Sequence, residues 1–184
     1  RGALKLVGAL DGFGFDACGV RALDVGASTG GFTQVLLERG ADEVVAVDVG
    51  RGQLAPVIAA DRRVVSFENT DARQLAALGE RVRNRTAFVC DVSFISVLKV
   101  LPHVLPLAGA TAWLVVLVKP QVEVGRAYIG KGGIVRDEEQ RLAAVRGVET
   151  YLTDQSGWRV IGHMPSEIAG GDGNQEYLVG ATYE

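Results

Sequence analysis

The chain has 184 residues, 48% of them hydrophobic and 22% charged, which is enough apolar surface for one folded core and gives no basis for disorder. Nineteen basic side chains against 22 acidic ones leave a net charge of −3, which excludes holding nucleic acid by bulk charge, so any RNA contact must be local. Two cysteines exclude a disulfide framework, and the longest apolar stretch, Thr111 to Val118, is far short of the ~20 residues that a membrane helix needs. A cytoplasmic protein without membrane attachment is expected, with residues 1–184 forming one domain. Because the chain opens on Arg1 rather than on methionine, it is expected to be cut from a longer protein.

In chain order, an opening helix carries Leu4, Val7 and Leu10 on its apolar side and Lys5 on its polar side. Near-continuous apolar runs at Arg21 to Val25, Glu43 to Asp48, Arg63 to Phe67, Thr86 to Cys90 and Ala112 to Val118 then predict five buried parallel strands. Crossover helices are expected between them, at Phe32 to Arg39, Gln53 to Ala60, Ala72 to Leu78 and Ile95 to Leu107. Pro56 fits only a first turn, and Pro102 and Pro106 break or kink the last of these helices. Asp137 and Gln140 start a further helix in the manner of a capping box, running to about Gln155. Trp158 to Met164 and Glu176 to Tyr183 finish the chain as two strands, with an antiparallel ending expected. The alternation predicts an α/β fold, a doubly wound Rossmann-like sheet of about seven mostly parallel strands, with its ligand crevice at the carboxyl ends of the strands.

The segment Asp24-Val-Gly-Ala-Ser-Thr-Gly-Gly-Phe32 follows the first strand and opens a helix, the position of a loop that wraps a small ligand. Its spacing is neither Gly-x-Gly-x-x-Gly nor a Walker loop, so phosphate binding loses ground. Asp24, Gly26, Ala27, Ser28, Thr29, Gly30, Gly31 and Phe32 are therefore cofactor candidates. Asp48, about twenty residues further on, suits both hydroxyls of an adenosine ribose. Asp24 would repel a pyrophosphate and attract an ammonium, which favours S-adenosylmethionine over a dinucleotide. Asp71 is a candidate for the adenine side, or else the N-cap of the helix that begins at Ala72.

Asp91 ends the fourth strand and Lys119 the fifth, so an acid and a lysine emerge side by side where the cofactor's reactive end would point, and Asp91 joins the cofactor candidates too. Glu176 stands at the mouth of the last strand, and Lys5 can return to the same crevice. The loop from Gln121 to Val135 places Arg126 and Lys131 among glycines, either as a flap that contacts phosphates or as an ordinary solvated loop. His103 and His163 have no Cys or His at ligand spacing, so no metal site is expected.

The motifs Arg1-Gly-Ala-Leu-Lys-Leu6, Asp24 to Thr33, Asp48-Val-Gly-Arg-Gly-Gln53, Asp91-Val-Ser-Phe-Ile-Ser96, Leu117-Val-Lys-Pro-Gln121 and Gly173-Asn-Gln-Glu-Tyr177 together resemble the FtsJ-like methyltransferase domain of the TlyA, or haemolysin-type, family. That resemblance implies S-adenosylmethionine-dependent methylation of a ribose 2′-hydroxyl in ribosomal RNA, with Lys5, Asp91, Lys119 and Glu176 as the catalytic tetrad. It implies ribosomal subunits as partners, assisted by an N-terminal S4-type RNA-binding domain that this sequence lacks, which makes the chain the expected C-terminal part of a longer protein. Arg1 and Lys5 then join Arg126 and Lys131 as RNA-contact candidates. Lys119 would take the hydroxyl proton if neutral or stabilise the alkoxide if charged, and the residues alone do not choose. The rivals are an amine methyltransferase, a dehydrogenase, a membrane-damaging haemolysin and a cofactor-binding module without activity.

Overall fold

The computed structural model describes residues 2–184. Seven strands form one sheet: β1 (Arg21–Val25), β2 (Glu43–Val47), β3 (Val64–Phe67), β4 (Arg85–Cys90), β5 (Ala108–Val118), β6 (Trp158–Pro165) and β7 (Tyr177–Tyr183). Their order is β3-β2-β1-β4-β5-β7-β6. β1 to β5 pair in parallel, and β7 inserts antiparallel between β5 and β6, so the expected antiparallel finish is present.

Chain direction along the sheet reverses between β1 and β4, and at that switch point the loops leaving both strands open a crevice. Both faces of the sheet are covered, which is why the central strands read as unbroken apolar runs. One face packs Leu6, Ala9 and Leu10 of α1 (Gly2–Phe13) and Val35 and Leu36 of α2 (Gly31–Glu38) against Ala22, Val89 and Val115. The other packs Val100, Leu101 and Val104 of one helix and Val145, Val148 and Leu152 of another against Phe88, Leu114 and Val116.

The connections depart from expectation where proline and glycine decide. In place of a helix from Gln53 to Ala60 there is one turn, α3 (Pro56–Ala59), with Pro56 in its first turn because the ring preset suits that position alone. The Ala72 segment is a kinked 3-10 run to Val82, broken at Gln74 and Gly79. The helix expected from Ile95 to Leu107 begins later, as α4 (Val97–Val104) capped by Ser96, tolerates Pro102, and tightens to a 3-10 turn at Leu105–Leu107. α5 (Pro120–Glu123) is a single turn after β5. α6 (Glu138–Thr153) starts on Asp137, whose carboxylate accepts the Glu139 amide at 3.0 Å. No helix among the described residues is long and apolar enough to cross a membrane.

In α1 the stripe differs from the expected one. Leu6, Ala9 and Leu10 are buried, while Leu4 faces outward, 63% exposed. The 3.6-residue period therefore turns Lys5 inward, with its side chain only 9% exposed.

Candidate active site

Gly26 and Ser28 carry positive φ angles of 82° and 52°, which curl the loop back over the ends of β1 and β2. A Cβ at Gly26 would collide with the Asp91 carbonyl oxygen, so only glycine lets the loops after β1 and β4 meet backbone to backbone. Asp48 holds the curl in place: Oδ2 accepts the Ser28 amide at 2.7 Å and Oδ1 the Gly50 amide at 2.8 Å. Each oxygen keeps a lone pair for a further donor, which suits a ribose diol.

Two cavities flank this loop. One, of about 440 Å³, is lined by Asp48, Asp71, Val92, Phe94 and Ile95, and the other, of about 620 Å³, by Gly2, Ala3, the loop from Gly26 to Phe32 and Ile58. They share Gly26, Ser28 and Asp91, so one elongated ligand could lie across the loop with an end in each. Asp71 has two observed places. It lines the Asp48 cavity and also caps the following turn through the Arg73 amide at 2.8 Å. The Arg73 guanidinium, hydrogen-bonded to it, holds its pKa down at about 2.

Asp24, expected to attract a ligand's ammonium, is held inside the sheet. It lies within β1 and is fully buried, with Oδ2 accepting the Thr33 hydroxyl at 2.7 Å and Oδ1 without a hydrogen-bond partner among the described residues. Burial, aided by the charges of Asp91 and Asp48, raises its pKa to about 7.

At the neighbouring strand ends the four tetrad residues form two ion pairs. Lys119 Nζ lies 2.7 Å from Asp91 Oδ1 and donates to Ser93 Oγ at 3.0 Å, and Lys5 Nζ lies 2.8 Å from Glu176 Oε1. Glu176 directly precedes β7, whose antiparallel insertion beside β5 brings it level with Lys119. A third cavity, of about 520 Å³, is lined by Ser93, Phe94, Lys119, Gln121, Asp172 and Glu176, and it shares Ser93 and Phe94 with the Asp48 cavity. Phe94 is fully exposed and has a positive φ of 66°, an uncommon state for an aromatic residue, so the loop presents its ring to the junction of the two cavities.

Three residues with no role expected from the sequence brace this geometry, two of them, Gln121 and Asn174, inside its motifs. Glu123 accepts the Ser96 hydroxyl at 2.5 Å and the Val97 amide at 2.9 Å, tying the loop from Asp91 to Ser96 to the Lys119 turn. Asn174, fully buried, accepts the Val135 amide at 2.9 Å and donates to the Gly133 carbonyl at 3.0 Å, pinning the flap to the loop before Glu176. Gln121 donates to Glu176 Oε2 at 3.0 Å. Such contacts join segments far apart in the chain, so the motifs that contain Gln121 and Asn174 do not reveal their partners. Glu123→Ala removes a charged cap from α4 and is expected to cost about 1–2 kcal/mol, read as a lower Tm, with the cofactor cavities intact.

Of the RNA-contact candidates, Arg126 and Lys131 are exposed on the flap, Lys5 is engaged with Glu176, and Arg1 lies outside the described residues.

A doubly wound sheet with antiparallel β7, a glycine loop and an acidic residue after β2 defines the Rossmann-like methyltransferase class. Comparison with known proteins narrows this. The model of the FtsJ-like methyltransferase family matches residues 1–183, and the chain belongs to that family. It is 49% identical over 181 residues to a 16S/23S rRNA (cytidine-2'-O)-methyltransferase TlyA of Mycobacterium tuberculosis, a match covering 97% of this chain and 66% of that protein. It thus spans just under two thirds of that relative's length. A protein of Brachyspira hyodysenteriae named Hemolysin A is 38% identical, with 97% of this chain and 74% of that one covered. A crystal structure of a hemolysin-named protein from Lactococcus lactis superposes with a TM-score of 0.92 at 40% identity, covering all of this chain and 88% of that one.

Proposed function

We propose that this domain transfers a methyl group from S-adenosylmethionine to a ribose 2′-hydroxyl of ribosomal RNA. The observation that carries the reading is the pair of lysine–carboxylate contacts, Lys119 with Asp91 and Lys5 with Glu176, with Lys119 and Glu176 lining a cavity that adjoins the Asp48 cavity at Ser93 and Phe94. The name and likeness of the Mycobacterium tuberculosis relative support the same reading. An rRNA substrate makes the cytoplasm the expected location, and an S4-type domain outside this chain is the expected aid to ribosome binding.

The crevice fits the cofactor by its donor set. Asp48 would accept the ribose hydroxyls, Gly26 admits close approach, and the unpartnered oxygen of buried Asp24 provides negative potential for a cationic ligand. When bound, S-adenosylmethionine supplies an electrophilic methyl on a sulfonium. The chain's part is positioning and charge. With Asp91 at 2.7 Å, the resting state best supported for Lys119 is the ammonium, which would donate to the 2′-oxygen as negative charge develops there. Asp91, partly open to water, gives the hydroxyl proton an exit. Lys5 would steady the ribose or its phosphate from the opposite wall. Phe94 offers a face for a base, and Arg126 and Lys131 lie on the flap as phosphate contacts.

Calorimetric titration with S-adenosylmethionine, then tritiated methyl transfer to unmethylated ribosomal subunits by the full-length protein, tests the reading. Asp48→Ala should weaken cofactor binding by roughly 10- to 100-fold, the loss of two charge-assisted hydrogen bonds of ~1.5–3 kcal/mol each being partly offset by water. Equal affinity in the variant would remove Asp48 from the cofactor site.

A further inference from the structure

Both oxygens of the Glu176 carboxylate are engaged inside the protein. Oε1 accepts the Lys5 ammonium at 2.8 Å and Oε2 the Gln121 amide at 3.0 Å, and the Glu176 side chain is only 3% exposed. Gly170 closes the remaining side, since a Cβ there would overlap Oε2 and approach Asp172 Oδ1. Glu176 is thus surrounded by Lys5 from α1, Gln121 from α5 and the Gly170–Asp172 loop, with Lys119 lining the same cavity.

The orientation of the Gln121 amide is dictated by this contact, because a flipped amide would point its oxygen at a carboxylate. The oriented amide leaves its own Oε1 buried and without a hydrogen-bond partner among the described residues, a destabilising state that packing alone does not call for. Gln121 follows Lys119 and Pro120 in one rigid turn, so the turn that aims Lys119 at Asp91 and Ser93 also grips Glu176.

We propose that Gln121 is a positioning residue for methyl transfer: its amide donor holds Glu176, and the Lys5 ammonium paired with it, in place beside Lys119 in the cavity that Lys119, Gln121 and Glu176 line. The inference rests on the proposed 2′-O-methyl transfer and adds to it the requirement for a hydrogen-bond donor at this position.

Gln121→Leu removes the donor at similar volume, and Gln121→Glu restores one only while protonated. Two carboxyl groups at this distance share one proton at low pH, and the protonated member donates to the other as the amide does. The experiment measures kcat of the full-length protein on unmethylated ribosomal subunits across pH, with calorimetric cofactor binding alongside. The expected result is that Gln121→Leu loses about 10-fold or more in kcat at every pH, as misplacement of reacting groups does. Gln121→Glu should approach the wild type at acid pH and fall away from it as pH rises, and cofactor affinity should hold in both. A protonated-carboxyl infrared band in Gln121→Glu, additional to the one that buried Asp24 gives in the wild type at the same pH, checks the shared proton without any transfer assay. A constant ratio of Gln121→Glu to wild-type kcat across pH, full activity in Gln121→Leu, or no such band overturns the inference while leaving the proposed function standing. Absence of transfer by the wild-type protein with cofactor bound overturns the proposed function itself.

Discussion

Lys119→Ala should lower kcat for methyl transfer by roughly 10²- to 10⁴-fold while leaving S-adenosylmethionine affinity nearly unchanged. The Lys119 ammonium lines the third cavity rather than either cavity beside the glycine loop. Removing it deletes the charge nearest the developing alkoxide and leaves Asp91, 27% exposed at its side chain, facing water in its place. Because that carboxylate can be solvated, the fold should survive with a small change in Tm. Single-turnover transfer to unmethylated ribosomal subunits, with calorimetry on the same preparation, checks both halves. Unaltered turnover would remove Lys119 from the chemistry, and equal losses of turnover and cofactor affinity would move it to the cofactor site.

Asp24→Asn should stabilise the ligand-free protein above pH 7 and weaken cofactor binding at the same time. The folded-state pKa of Asp24, pushed up to about 7 by burial, lies above its unfolded value near 3.8, so between those values the folded state binds the extra proton. Stability from this group is therefore complete below about pH 4, declines as pH rises through 7, and levels off beyond. The gap corresponds to an upper bound on the order of 4 kcal/mol, which the amide would recover at high pH if it keeps the Thr33 contact. The variant also loses the buried negative charge that favours a cationic ligand. Denaturant unfolding from pH 4 to 8 should show the wild type losing stability as pH rises and the variant nearly flat, and calorimetry should show weaker S-adenosylmethionine binding. Parallel pH profiles would mean that Asp24 ionises freely in the folded protein.

The same residue marks the border between what local pattern conveys and what it leaves open. A run such as Val44 to Val47 is buried on both faces, so its composition alone announces a central parallel strand, and alternation with helical segments then limits the topology to a doubly wound sheet. Gly26 was legible for a similar reason, since few uses other than a tight turn or a close approach require glycine directly after such a strand. Asp24 was recognisable as special, but whether its carboxylate faces ligand or core depends on the strand's rotation against α2, which one sequence does not carry. The lengths of α3 and α4 were misjudged because proline's tolerance near a first turn, or inside a helix packed on the sheet, is settled by neighbours.

The amino-acid sequence by itself determined the succession of strands and helices and the glycine loop with Asp48 after it, because each depends on short-range chemistry or on position at a strand end, whereas the grouping of Lys5, Asp91, Lys119 and Glu176 as a catalytic tetrad was legible only through the family resemblance. Only the tertiary structure decided that Lys5 turns inward, that the four residues form two separate pairs, and that Glu123, Asn174 and Gln121 brace them. Those contacts join residues 26 to 171 positions apart, and their partners are chosen by how β7 inserts beside β5 and how α1 packs on the sheet. Hydrogen-bond geometry at 3 Å is a property of that packing, and the local pattern of residues does not encode it.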